Sequence, residues 1–205
     1  MQGYIININR AKDEDLIVTI LSKNRKYTTY RFYGARHSTI NLGYKIDFEL
    51  QHSVKSKIPQ LRNILHLGMK WNIDRDKMYI WQQYIKLFYQ HLKDVEDIDE
   101  FYFNLIEKSL YLWDKQNSKR VAIERYVELL EHEGRLHSEF TCFKCENKIE
   151  NEISLVRAFL TAHKECVYAN GFQALHVEEL FLRKSTIFFN DKEIDKLWSI
   201  VCEGF

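Results

Sequence analysis

Apolar and polar positions alternate through the first third of the chain and then switch to a longer period. Tyr4–Ile8, Leu16–Leu21, Tyr27–Tyr33 and Lys45–Gln51 are short runs rich in Ile, Val, Tyr, Phe and Thr. Such side chains suit a pleated, half-buried surface. The fourth run is the clearest: Ile46, Phe48 and Leu50 share one face, and Lys45, Asp47 and Glu49 the other, as a strand with one dry face requires. Polar, turn-like stretches at Lys12–Asp15, Ser22–Lys26 and Gly34–Gly43 separate the runs. Beyond them the pattern predicts a short helical piece near Pro59–Leu67, with Pro59 in its first turn where a missing N–H costs nothing, and a fifth strand at Gly68–Ile73. Five short strands in so little chain suit a small closed barrel, which leaves no edge exposed.

From residue 76 the period becomes helical. Met78, Trp81, Ile85, Phe88 and Leu92 form one stripe, Phe101, Leu105, Leu112 and Trp113 a second, and Ala122, Tyr126, Leu129 and Leu130 a third. The five carboxylates of Asp94–Glu100 read as a solvated linker and a helix N-terminus, where the partial positive charge of the helix favours them, and not as a metal cluster. Ser118 is placed to cap the third helix and Gly134 to end it. Leu175–Phe189 offers a further helix through Val177, Leu180, Phe181 and Lys184, and Asp191 caps a last one carrying Ile194, Leu197, Trp198 and Val201. The expected class is α+β: a barrel domain over residues 1–75 and a mainly helical domain over 76–205.

Composition narrows this further. At 205 residues, 45 % apolar and 29 % charged, the chain is globular and not disordered. No apolar run reaches the roughly 20 residues that span a bilayer, and Asn7, Asn9 and Arg10 interrupt the apolar N-terminus, so no signal peptide is read. Four cysteines, two of them in one Cys-x-x-Cys, do not make a secreted disulfide framework; a cytoplasmic location is expected. Phosphate-binding glycine loops, a nucleophile elbow and a His-Glu-x-x-His motif are all absent, so no enzyme is expected. The net charge of +1 hides an asymmetry: residues 1–75 carry thirteen Lys/Arg against six Asp/Glu, a net of +7, which leaves −6 for the rest. A basic first module points to a polyanion partner.

The candidate binding residues lie around the strand Lys26–Tyr33. Period-2 geometry puts Tyr27, Thr29, Arg31 and Tyr33 on one face, with Lys23, Arg25 and Lys26 before it and Arg36 with His37 after it. Rings interleaved with cations are how small barrels hold single-stranded nucleic acid, bases on rings and phosphates on Lys/Arg. The predicted DNA-binding set is Lys23, Arg25, Lys26, Tyr27, Arg31, Tyr33 and Arg36.

A second constellation is Cys142-x-x-Cys145 followed by His163-x-x-Cys166. Two x₂ pairs of soft ligands complete a tetrahedral zinc site, and four protein ligands would make the metal structural. His137-Ser-Glu139 ahead of Cys142 superficially matches a zinc deaminase signature, but the two halves are only two residues apart and the proline is missing.

Taken together, Gly3–Ile6, Asp13–Leu21, Tyr33-Gly-Ala-Arg-His-Ser38, Ile46–Leu50 and Ile58-Pro-Gln-Leu-Arg62 resemble the RecO family of bacterial DNA-repair and recombination mediators, particularly its short epsilonproteobacterial forms. The helical middle and the Cys-x-x-Cys near residue 142 follow in the family's order. The resemblance implies an N-terminal OB-fold, a helical domain with a zinc-binding insert near 140–170, and no enzymatic activity. It also implies binding of single- and double-stranded DNA, strand annealing, and work with RecR, RecA and single-strand-binding protein near the nucleoid. His163 stands where the family's second metal pair has cysteine; imidazole also binds zinc, and the departure equally fits a lineage that has lost its metal. Two other readings remain open at this level. In one, the acidic helical domain is a protein-interaction adaptor and the barrel's charge is incidental; in the other, the Cys/His cluster serves a metalloenzyme.

Overall fold

The structure is a computed structural model that describes every residue except Lys55. The chain divides into two compact units, Met1–Leu110 and Tyr111–Phe205.

In the first unit, β1 (Gln2–Arg10), β2 (Leu16–Ser22), β3 (Lys26–Arg31), β4 (Lys45–Ser53) and β5 (Ser56–His66) close into a barrel in the order β1-β2-β3-β5-β4. Neighbours run antiparallel, apart from β3 and β5, which meet in parallel only at Tyr30 and Gln60. Ile5, Val18, Ile20, Ile46, Phe48 and Leu61 fill the interior, so the dry face read along β4 is the face that is buried. Gly3 allows β1 to close on β2: a Cβ there would meet Ile20 Cγ2 at 2.5 Å and the Leu21 carbonyl at 2.9 Å.

The fifth strand is not Gly68–Ile73, and Pro59–Leu67 is not a helix. Both expectations fail together, because Ser56–His66 is the closing strand β5 and no strand forms over 68–73. Pro59 reconciles with a strand because the β4–β5 register shifts between Gln51 and Ser53, opposite it. At such a bulge the missing N–H breaks no ladder hydrogen bond.

α1 (Arg75–His91) and α2 (Glu100–Trp113) follow. Asp74 caps α1 by accepting from the N–H groups of Asp76 and Lys77. The Trp81 indole N–H donates to the Gly43 carbonyl at 2.8 Å. Gly43 has φ +83°, and a Cβ there would lie 2.6 Å from the indole, so backbone conformation and close approach both demand glycine. The Tyr4 hydroxyl donates to Glu107 at 2.7 Å, and the same carboxylate pairs with Lys45 at 2.6 Å. These contacts gather α1 and the first turns of α2 into the barrel's compact unit, which runs to Leu110.

In the second unit, α3 (Ser118–His132) packs against α6 (Asp191–Cys202), and Val121 and Ala122 of the one and Leu197 and Val201 of the other are buried. Asn117, one residue before the expected Ser118, caps α3, and Gly134 ends it at φ +67°. Asn190, not Asp191, caps α6 in a reciprocal box with Glu193. α5 (Ala174–Arg183) stops earlier than its apolar pattern suggested, because Lys184 turns left-handed at φ 52°. Between α3 and α5 lie β6 (Glu152–Leu155), β7 (Thr161–Ala162), the four-residue α4 (Lys164–Val167) and β8 (Phe172–Gln173), with the three strands paired in the order β7-β6-β8.

Candidate nucleic-acid groove and metal centre

The period-2 reading of β3 holds, but the face bearing Tyr27, Thr29 and Arg31 points into the barrel. Thr29 is fully buried and Tyr27 meets Phe48 edge-on at 6.2 Å. Arg31 turns its guanidinium onto the Leu61 carbonyl at 3.0 Å, with His37 Nε2 at 3.3 Å. Tyr33 lies past the strand, at φ 50° and exposed. Its N–H donates to Asp15 at 2.7 Å, and the Tyr30 hydroxyl donates to the same carboxylate; these two bonds hold Asp15 below the usual carboxylate range. Arg36 lies over the Tyr33 ring at 5.2 Å and pairs with Glu14.

The seven predicted residues therefore form two groups. Arg31, Tyr33 and Arg36 collect at the end of β3, and Lys23, Arg25, Lys26 and Tyr27 at its start. The length of β3 separates them, about 16 Å at the usual rise per residue.

At the start of β3 the acidic stretch after α1 does more than link. Ile98 N–H donates to the Asn24 carbonyl at 3.1 Å, Lys26 N–H donates to the Glu96 carbonyl at 2.8 Å, and Arg25 and Asp97 form an isolated antiparallel bridge. The stretch thus covers the part of the β3 edge that β5 leaves free. Lys23 pairs with Glu100 at 3.0 Å, and Arg25 with Glu96 at 3.5 Å and Asp97 at 3.9 Å. Lys23, then Asn104, hold the Glu100 carboxyl below its ordinary range. Lys26 is buried and donates to the carbonyls of Leu92 and Lys93 at the end of α1. Burial lowers its ammonium pKa, partly countered by Asp94 and Glu96. Lys26 satisfies helix-end carbonyls that would otherwise lack partners.

Where β3 and β5 part, a groove of about 680 Å³ opens between the start of β3, the β4–β5 hairpin and residues 93–96. Arg25, Lys26, Tyr27 and Thr28 line it from β3, with Leu50, His52, Lys57, Ile58 and Pro59 from the hairpin and Lys93, Asp94 and Glu96 opposite. Among the described residues His52 and Lys57 have no acidic partner. Further along β5, Arg62 is exposed and donates only to the neutral Gln51 and Gln60 side chains. These hairpin residues carry no motif of their own in the sequence; the signal available was a polar turn flanked by basic residues between two alternating runs.

The four cysteine and histidine positions, by contrast, converge. Cys142, Cys145, His163 and Cys166 bring one ligand atom each to within 4.8 Å of one another. The first pair sits on a tight turn closed by the Thr141–Lys148 bridge, with Glu146 left-handed at φ 60°. The second pair leaves β7: His163 is the N-cap residue of α4, and Cys166 lies in its only turn. His163 Nδ1 lies 3.3 Å from Cys145 Sγ and Nε2 3.2 Å from the Lys148 carbonyl. An outer bond to Nε2 of this kind leaves the Nδ1 lone pair for a metal. Burial pushes the Cys142 thiol up, but the N–H groups of His163, Cys145 and Lys144 and the Cys145 side chain outweigh it and leave the thiol at about 6. Hydrogen bonding to Cys142 and Cys145 raises His163. Burial, then hydrogen bonding to the same sulfurs, pushes Cys166 up to about 11. Tetrahedral zinc with sulfur at about 2.3 Å spaces its ligand atoms roughly 3.3–3.8 Å apart. The donor set and its compactness both fit, so this Cys₃His group can hold a metal ion.

A closed five-stranded barrel of this strand order, grooved beside its third strand and its β4–β5 hairpin, belongs to the class of small barrels that OB-type domains represent. Residues 1–72 match the family model described as RecO N terminal. Over those residues the chain is similar to a RecO N-terminal domain, a likeness that supports a role in DNA repair and recombination. No curated protein matches the chain. The family match ends before α1, so the helices and the Cys₃His group rest on their own geometry.

Proposed function

We propose that the protein is a non-enzymatic mediator of recombinational repair whose barrel binds single- and double-stranded DNA. In this reading it anneals complementary strands and works with RecR to let RecA replace single-strand-binding protein, in the cytoplasm at the nucleoid. The observation that carries it is the coincidence of the RecO-type domain with a groove that combines cations and rings. Phosphates meet Arg25, His52 and Lys57, Arg62 extends the path along β5, and Tyr27 and Pro59 supply flat surface for bases. Lys26 belongs to the fold and not to the DNA contact, and Arg31 contributes through the barrel mouth. Lys23 and Arg36 carry exposed ion pairs that are worth at most about 1 kcal/mol, so phosphate can displace their partners. The Cys₃His group holds a structural zinc: four protein ligands leave no open position for water, and the metal's contribution is to tie residues 140–170 together.

Fluorescence anisotropy with a labelled single strand tests the reading. Affinity should fall steeply with salt, and replacing Lys57 and Arg62 together by Glu should weaken it at least about tenfold and flatten the salt slope by ~1.4, two single-strand phosphates. Absence of binding at low salt, or identical behaviour of the variant, would overturn it.

A further inference from the structure

The carboxylates after α1 contribute little to stability. The backbone of this stretch already pairs with β3, and the Glu96 and Asp97 side chains are 78 % and 91 % exposed, where ion pairs contribute little. Yet three of them sit on two cations before β3, Lys23 and the groove-lining Arg25, and Asp94 and Glu96 also line the groove itself. A carboxylate on a guanidinium presents the same oxygens, at the same distance, as a backbone phosphate.

We propose that Glu96, Asp97 and Glu100 are phosphate surrogates: in the free protein they occupy Lys23 and Arg25, and they set the threshold a nucleic-acid backbone must pass to enter the groove. The inference rests on the DNA-binding reading above and specifies how that site is regulated. An incoming strand exchanges partners with these acids, so Lys23 and Arg25 release fewer counterions on binding than free cations would. Affinity for any passing polyanion is thereby held down, while Lys57 and the imidazole of His52 on the hairpin remain available for first contact.

The test is a two-by-two cycle on the full chain, read by anisotropy with a labelled thymine oligonucleotide across a salt series. Glu96→Gln with Asp97→Asn and Glu100→Gln removes the surrogate charge and leaves the backbone pairing intact. This variant should bind about fivefold tighter or more near 0.1 M salt, with a slope steeper by ~1.4 for two freed cations. Lys23→Gln with Arg25→Gln should abolish that gain in the neutralised background and weaken the unmodified protein by a smaller factor, since the acids already offset part of the attraction of those cations. Unchanged affinity on neutralisation, or equal losses from the cation changes in both backgrounds, would overturn the proposal. If neither protein binds at low salt, the DNA-binding reading falls and this inference with it. Should the triple variant fail to fold on thermal melting, Glu100→Gln alone, outside the paired backbone, should shift affinity the same way with a slope change of ~0.7.

Discussion

Inside the barrel, Ile5, Val18, Ile20 and Ile46 are fully buried, and Phe48 and Leu61 are nearly so; five strands of six to eleven residues close on them. Around the Cys₃His group the strands have four, two and two residues and the helix four, while Cys145 is exposed and Cys166 half-buried. The first region secures its shape by apolar burial, and the second has too little regular structure to do so. The comparison teaches where each is vulnerable. Removing volume should damage the barrel, whereas removing a ligand should damage the Cys/His module.

The largest effect should come from the ligands. Structural zinc sites contribute on the order of 10 kcal/mol of apparent binding energy to folding. Cys142→Ser with Cys145→Ser should lower bound zinc from one per chain to none and erase amide-exchange protection over residues 140–170, with the barrel's protection retained. Retained zinc, or loss of protection in the barrel as well, would break the contrast. Next in size, Phe48→Ala should cost about 3–5 kcal/mol in chemical denaturation while leaving zinc content untouched.

The smallest effect is a pH dependence that sharpens the contrast. Asp15 is depressed by the Tyr30 and Tyr33 bonds and Glu100 by Lys23. A carboxyl with a lower pKa in the folded state stabilises above its unfolded value and loses that contribution as the pH falls through the folded one. Barrel stability should therefore decline as the pH drops below about 4, and Asp15→Asn should flatten the decline. A decline steeper in Asp15→Asn than in the unmodified protein would contradict the assignment.

Much of this was legible in the sequence. Alternation over Lys45–Leu50 revealed the dry face of β4, and two x₂ pairs picked out the four Cys and His side chains that the fold brings together, since short-range spacing survives folding. Other features were not. Pro59 read as a helix start because nothing local reveals the bulge opposite it. Period 2 divides β3 into two faces without saying which is inside, so the burial of Tyr27 and Arg31 toward the barrel cannot be read from it. The pairing of Lys23 and Arg25 with residues 96–100 spans some seventy positions and is set only by tertiary structure. The Asn190-x-x-Glu193 capping box was available in the sequence and was passed over for Asp191.

One measurement bears most directly on the central claim, that the N-terminal barrel grips nucleic acid electrostatically through its groove: the slope of log affinity against log salt for the full chain and a single strand. The account predicts a slope near −2 to −3, three to four phosphates at ~0.7 each, that flattens when Lys57 and Arg62 are reversed in charge. A slope near zero, or one that those two substitutions leave unchanged, would contradict it.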